Sequence, residues 1–259
     1  MKTLGFIGTG GMGSGMTANL IKAGHRLVIH DLRREQCSSL ESQGAVFKES
    51  PRAVAESCDI VMSMLPYNEA VQAVGLGNGG LHQATGGAKL WIDFSSIDKK
   101  TIVDVANQLA QKGWTVLDGS AGGVEEAAAA GTLSLWISGS KELFDEHQPV
   151  FNAMGNKVIY VGDLGNAKLV KNAMAMFAAV QHLSLVEIAA WLKKGGLSPG
   201  CPKTWDSDWT WRVRWKFPCH LLPWPIRCFQ LLKLRGRMAT KPLESPATST
   251  ILSLGGSLN

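Results

Sequence analysis

Gly8, Gly10 and Gly13 stand in the spacing G-x-G-x-x-G, directly after the apolar run Leu4-Gly5-Phe6-Ile7 and directly before a helical pattern through Met16, Leu20 and Ile21. Three glycines alone make many ordinary turns. Between a strand and a helix they form the context that a dinucleotide site requires. There Gly8 permits the turn, Gly10 lets backbone approach a pyrophosphate, and Gly13 lets helix pack on strand. The helix start, with Met12 inside the loop, turns its free N–H groups toward the phosphates. Asp31 closes the next strand, Arg26–His30, where a carboxylate accepts hydrogen bonds from the adenosine ribose and repels a 2′-phosphate. That favours NAD. Arg33 and Arg34 follow at once and could clamp a 2′-phosphate, so NADP stays open.

The elements that must hold this loop are readable from the pattern. Ile60–Met64, Leu90–Asp93 and Thr115–Leu117 read as strands, with helical stretches at Arg34–Gln43 and Lys99–Lys112. Strands alternating with helices imply a parallel sheet covered on both faces. From Ala167 to Lys194 the pattern is helical without an internal Pro or Gly, about 42 Å at 1.5 Å per residue. Its apolar positions, from Leu169 to Val186, call for packing on more than one side. Self-association through this helix is the expectation if that packing is lost.

The 259 residues, 45% hydrophobic and 18% charged, exclude a disordered or fibrous chain. The apolar runs near Ile60 and Leu90 are short, so no membrane-spanning segment is expected. The opening residues run straight into a strand and leave no room for a cleavable leader. Five cysteines without a framework suit a reducing, cytoplasmic setting, and no metal-ligand spacing stands out. The net charge of +5 is uneven. Residues 201–259 carry 9 of the 26 Lys+Arg, 3 of the 21 Asp+Glu and 5 of the 9 Trp, but only 3 of the 29 Gly. Two kinds of sequence meet near Pro199–Cys201.

The run Gly5-Phe6-Ile7-Gly8-x-Gly10-x-Met12-Gly13-x-x-Met16-x-x-Asn19-Leu20-x-Lys22-Ala23-Gly24-His25 resembles the opening signature of the β-hydroxyacid dehydrogenases. Met64-Leu65-Pro66, Asp93-Phe94-Ser95-Ser96-Ile97, Gly131-Thr132-Leu133 and Gly162-x-x-Gly165 leading to Lys171 extend the resemblance without gaps through Leu197. It implies a doubly wound Rossmann-type sheet over residues 1–163, then a long interdomain helix and the start of a helical domain over 164–200. It also implies an NAD(P)-dependent interconversion of a short 3-hydroxy acid and its aldehyde or ketone. Met64, Leu65 and Pro66 would line the cofactor and Ser96 would contact its nicotinamide side. Lys171 matches the lysine that moves a proton at the substrate oxygen. Without the resemblance, Lys168 and Lys171 read as the solvated edge of a helix.

Two departures stand out. Asp118-Gly119-Ser120-Ala121-Gly122-Gly123 replaces the family's substrate loop, leaving Gly122, or Ala121 if one residue is deleted, where a serine belongs, although Gly122 and Gly123 still offer N–H groups to a carboxylate. Met174 and Ala175 stand where the family has Asn, and Asn172 turns away from that face. A cofactor-binding module without turnover is the alternative to an active, if impaired, enzyme.

The tail carries Trp and Arg that could stack on single-stranded nucleic acid, but no period organises them, so no nucleic-acid partner is expected. Regrouping its codons by one base forces Gly at Trp205/Asp206, Leu at Asp208/Trp209, Asp at Trp209/Thr210, Glu at Trp215/Lys216 and Ala at Trp224/Pro225. Freely chosen codons elsewhere complete strings that resemble the family's C-terminal part. Residues 201–259 are therefore expected to be an aberrant, disordered tail that replaces the family's all-α domain.

Overall fold

The computed structural model describes residues 2–196, and the expectations for the tail and the missing helical domain lie outside them. The chain divides into two units, the first of them Met1–Met176. The first holds an eight-stranded sheet in the order β3-β2-β1-β4-β5-β6-β7-β8. Its first five strands are β1 (Thr3–Ile7), β2 (Arg26–His30), β3 (Val46–Phe47), β4 (Ile60–Ser63) and β5 (Leu90–Asp93). They are followed by β6 (Thr115–Gly122), β7 (Leu133–Ser138) and β8 (Gly155–Tyr160). The strand order reverses at β1/β4, the crevice where open α/β sheets take ligands. Strands β1 to β6 run parallel, as expected. Beyond the expected parallel strands, β7 pairs antiparallel with β6 and places Ser120 opposite Trp136.

The sheet is buried on both faces because its strands are apolar at successive positions. Leu4, Phe6, Met62, Ile92 and Leu117 pack on one face with Met16 and Leu20 of helix α1 (Gly11–Lys22). Ile7, Val61, Trp91 and Val116 pack on the other. They meet Val71 of α4 (Asn68–Leu76) and Val105 and Leu109 of α5 (Lys99–Ala110), α5 being capped by Asp98, which accepts from Thr101 N. Shorter helices complete the layers: α2 (Ser38–Glu41), α3 (Pro51–Ala55), α6 (Glu125–Ala129), α7 (Lys141–Glu146) and α8 (Gln148–Met154). The expected helix Arg34–Gln43 is a 3-10 turn, Arg34–Cys37, followed by one turn of α-helix. It is broken up because only Cys37 and Leu40 face the core.

Helix α9 (Asn166–Lys194) begins in the first unit. Ala167 and Lys168 in its first turn are fully buried, while Leu169, Met176, Phe177, Val180, Leu183 and Trp191 are at least half exposed. The stretch Asn166–Trp191 is long and apolar enough, by length and composition, to cross a membrane. That corrects the expectation that no such stretch exists; charges confined to a few positions leave long apolar intervals between them.

Candidate active site

The glycine loop joins β1 to α1 as expected. Gly8 has φ +90°, and a Cβ there would lie 2.4 Å from the Met64 carbonyl oxygen. A Cβ on Gly13 would lie 1.9 Å from the Gly8 carbonyl oxygen. Only glycine satisfies both positions. Above Gly10 a Cβ would meet nothing within 4 Å, so the loop faces open space. Ser14 N is the first to close on a helical carbonyl, that of Gly10 at 2.8 Å. The N–H groups of Gly11, Met12 and Gly13 precede it and have no intrahelical acceptor. No acidic residue lies in that first turn. Open space above free N–H donors fits a pyrophosphate.

Asp31 stands at the end of β2, where its carboxylate accepts from Thr9 N at 2.8 Å and from Arg33 N at 2.9 Å. It therefore fixes the glycine loop and still has lone pairs for ribose hydroxyls. Arg34 is engaged elsewhere, paired with Glu41 and stacked 3.9 Å above the Phe47 ring. Arg33 is exposed. Met64, Leu65 and Pro66 leave β4 beside the loop: Met64 N donates to the Ile7 carbonyl at 3.0 Å, and Leu65 N to Ser95 Oγ at 2.8 Å. Ser96 is exposed just beyond β5. Its neighbour Ser95, which the sequence did not single out, is the serine that holds the cofactor-side loop.

The two lysines of α9 are placed by a length mismatch. Strand β5 stops at Asp93, opposite Asp118, while β6 continues to Gly122. Alternate carbonyls of β6 past Asp118 therefore open toward the empty edge. Lys168 Nζ donates to the Gly119 carbonyl at 2.7 Å and Lys171 Nζ to the Ala121 carbonyl at 2.9 Å. The solvated-edge expectation is corrected here, since Lys168 is fully buried and Lys171 partly so. Burial alone pushes the Lys171 ammonium below the ordinary lysine value.

The substrate-side departure has a physical reason. A Cβ on Gly122 would lie 2.7 Å from Trp136 ring atoms, so the indole occupies the space a serine side chain would need. Gly123, at φ +142°, carries the chain into α6. Ser120 is buried on the same face, and its hydroxyl finds no partner among the described residues. Met174 and Asn172 are exposed on α9. Of the two described cysteines, Cys58 is made inert by burial, which pushes its thiol up to about 12.

Over residues 3–162 the chain matches the NAD binding domain of 6-phosphogluconate dehydrogenase. It is 37% identical over 199 residues to the 3-hydroxyisobutyrate dehydrogenase of Pseudomonas aeruginosa, covering 77% of this chain and 67% of that one. The chain belongs to the β-hydroxyacid dehydrogenase family. A structure of the Mycobacterium tuberculosis 3-hydroxyisobutyrate dehydrogenase with L-serine matches with a TM-score of 0.72 at 30% identity, covering 77% of this chain and 67% of that one. The chain thus spans about two thirds of the length of these dehydrogenases. The cytokine-like nuclear factor N-PAC of Anopheles gambiae is 30% identical over 193 residues, 74% of this chain and 34% of that protein. As in the family, residues 3–162 form an NAD(P)-binding domain.

One residue in this β-hydroxyacid dehydrogenase domain opposes its cofactor. A Cβ on Gly11 would lie 1.9 Å from Glu125 Oε1, which puts that carboxylate against the first residue of α1. Its charge beside the first turn of α1 would disfavour a phosphate bound there. Glu125→Gln is expected to tighten NAD binding about two- to fivefold at low salt, the size of a charge–dipole contribution. The gain should shrink at high salt, and fluorescence titration of both proteins at two ionic strengths checks it.

Proposed function

We propose that this chain is an NAD-preferring dehydrogenase of a short 3-hydroxy acid, with Lys171 as its proton-handling group. The observation that carries the proposal is the half-buried Lys171 ammonium. It is held on the Ala121 carbonyl at the carboxyl edge of the sheet, the edge that bears the glycine loop and the Met64–Pro66 turn. Gly8, Gly10, Met12 and Gly13 would hold the pyrophosphate, Asp31 the ribose, and Met64, Leu65, Pro66 and Ser96 the nicotinamide side. Gly122 and Gly123 N–H groups would receive the substrate carboxylate. NAD, when bound, supplies the hydride acceptor. Lys171 orients the substrate hydroxyl and, when neutral, takes its proton in the oxidation direction; when charged, it returns that proton in the reduction direction. The preference for NAD follows from Asp31 together with Arg34, whose guanidinium is engaged by Glu41 and Phe47.

A second reading is a cofactor-binding module without turnover. It is favoured by the exposed, apolar Met174 where an amide side chain is expected, and by the N-PAC relative, whose name describes a nuclear factor. Appearance of reduced cofactor with 3-hydroxyisobutyrate or glycerate supports the enzyme. Binding of NAD with no turnover on any short hydroxy acid supports the module.

The buried lysine sets a pH dependence. For hydroxy-acid oxidation, log kcat/KM should rise with pH through a value below the ordinary lysine 10.5, because the neutral amine is the base. Between that value and the ordinary one the unfolded chain binds more protons than the folded chain, so stability rises with pH through the same window. A pH–rate profile in both directions, with opposite slopes, checks the assignment.

A further inference from the structure

Lys168 carries the most heavily hydrogen-bonded ammonium among the described residues. Its Nζ lies 3.0 Å from Asp93 Oδ2, 2.9 Å from Asp118 Oδ1, 3.0 Å from the Asp93 carbonyl oxygen and 2.7 Å from that of Gly119. All three charged residues are fully buried. Burying an ammonium with two carboxylates is costly unless every remaining lone pair is satisfied. Here the surroundings supply partners in two directions.

Toward the cofactor side, Asp93 Oδ1 accepts from Ser63 Oγ and Ser95 Oγ, each at 2.6 Å. Trp91 Nε1 donates to Ser63 Oγ at 2.8 Å, and Ser95 Oγ in turn accepts from Leu65 N. Toward the helix, Asp118 Oδ2 accepts from Ser138 Oγ at 2.9 Å and from Lys168 N at 3.2 Å, while Ser138 Oγ accepts from Ala167 N at 3.2 Å. One branch ends on the turn that carries Leu65. The other ends on the first turn of α9, one turn before Lys171.

We propose that Lys168 is a positioning residue: clamped between Asp93 and Asp118, it fixes the Met64–Pro66 turn and the Lys171 turn of α9 to one point, so that the cofactor seat and the proton-handling ammonium are held as a unit. This rests on the reading of Lys171 and of that turn given above. The geometry gives it content beyond stability. Both lysines bind alternate carbonyls of the same strand, so the turn that Lys168 pins to Asp118 also sets where Lys171 meets the Ala121 carbonyl. The charged groups on the first turn of α9 and on the strands it packs against are Lys168, Asp93 at the end of β5 and Asp118 in β6; Glu187, Lys193 and Lys194 lie far along the same helix. The lowered proton affinity of Lys171 is caused by its burial. Unpinning the turn should therefore release it toward solvent.

The test compares the full chain with Lys168→Met and Lys168→Arg, using two readouts that need no turnover. The first is the pH midpoint of Lys171 acetylation by acetic anhydride, followed by mass spectrometry; access changes the plateau rate but not the midpoint. The second is NAD affinity by fluorescence titration. In folded Lys168→Met the midpoint is expected to rise toward the ordinary lysine value, with a matching drop in amine fraction at fixed pH. NAD affinity is expected to fall about tenfold, as for a seat displaced by a fraction of an ångström. Lys168→Arg, which keeps the charge, should recover part of both. If a folded Lys168→Met leaves both unchanged, the proposal is overturned. If Lys168→Met does not fold, Asp118→Asn keeps the shape of the site and removes the carboxylate that both the Lys168 ammonium and the Lys168 N–H engage. The same rise in midpoint is then expected, and an unchanged midpoint overturns the proposal. A chain that binds NAD but transfers no hydride would defeat the dehydrogenase reading and leave these two readouts intact.

Discussion

Replacing Lys171 by alanine is expected to abolish hydride transfer while leaving NAD affinity nearly unchanged. The side chain hydrogen-bonds the Ala121 carbonyl beyond the end of β5, whereas the phosphate donors sit at the start of α1. Removing it deletes the group proposed to take the substrate proton and touches no part of the glycine loop. General acid–base groups contribute about 10²–10⁴-fold in rate, and a loss of that size in kcat/KM at constant cofactor affinity is the signature. Steady-state kinetics beside a cofactor titration measures both. A variant within a few-fold of the unaltered rate would remove Lys171 from the chemistry. The fold should survive, because alanine suits a helix and Lys171 is only partly buried.

The second large effect is at Gly13. Gly13→Ala is expected to abolish NAD binding and lower stability, because its Cβ would be 1.9 Å from the Gly8 carbonyl oxygen and 3.0 Å from the Gly8 carbonyl carbon. Both contacts are with backbone, so relief requires the turn to open or α1 to move off β1. Overpacking of this kind costs about 1–3 kcal/mol and sometimes more, or about 2–4 °C of Tm per kcal/mol at this chain length. Gly10→Ala is the informative contrast. Its Cβ meets nothing within 4 Å, so the fold and Tm should be unchanged while NAD binding weakens, the methyl now standing in the space left for phosphate. Equal loss of stability in the two variants would show that the glycines serve only the turn.

Much of this site was legible in the sequence, and the reason is local. The glycine loop, Asp31 and the Met64–Pro66 turn each follow a strand end, and strand ends are marked by short apolar runs. What escaped was set by contacts distant in the chain. Lys168 read as a solvated helix edge because nothing in its own helix shows that Asp93 and Asp118 converge on it. Two acids at the ends of consecutive strands were the available signal. Glu125 reaches Gly11 only because α6 packs against α1. Gly122 read as a departure from the family's loop, and the structure supplies the compensating residue, Trp136, from a strand the pattern did not reveal. Strands β7 and β8 were missed because the antiparallel turn at β7 breaks the strand–helix alternation that exposed the others.

The central claim is that this domain performs hydride transfer with Lys171 as its base, and a single-turnover experiment tests it with the least dependence on rate. The full chain, in excess over NAD, is mixed with 3-hydroxyisobutyrate carrying deuterium on the hydroxyl-bearing carbon, and the cofactor is recovered and weighed by mass spectrometry. The account predicts one deuterium in the reduced cofactor for each aldehyde formed, and its appearance slowed about 10²–10⁴-fold with Lys171→Ala. Bound NAD that acquires no deuterium from this acid or from glycerate, after incubation long enough for a slow turnover, would contradict it.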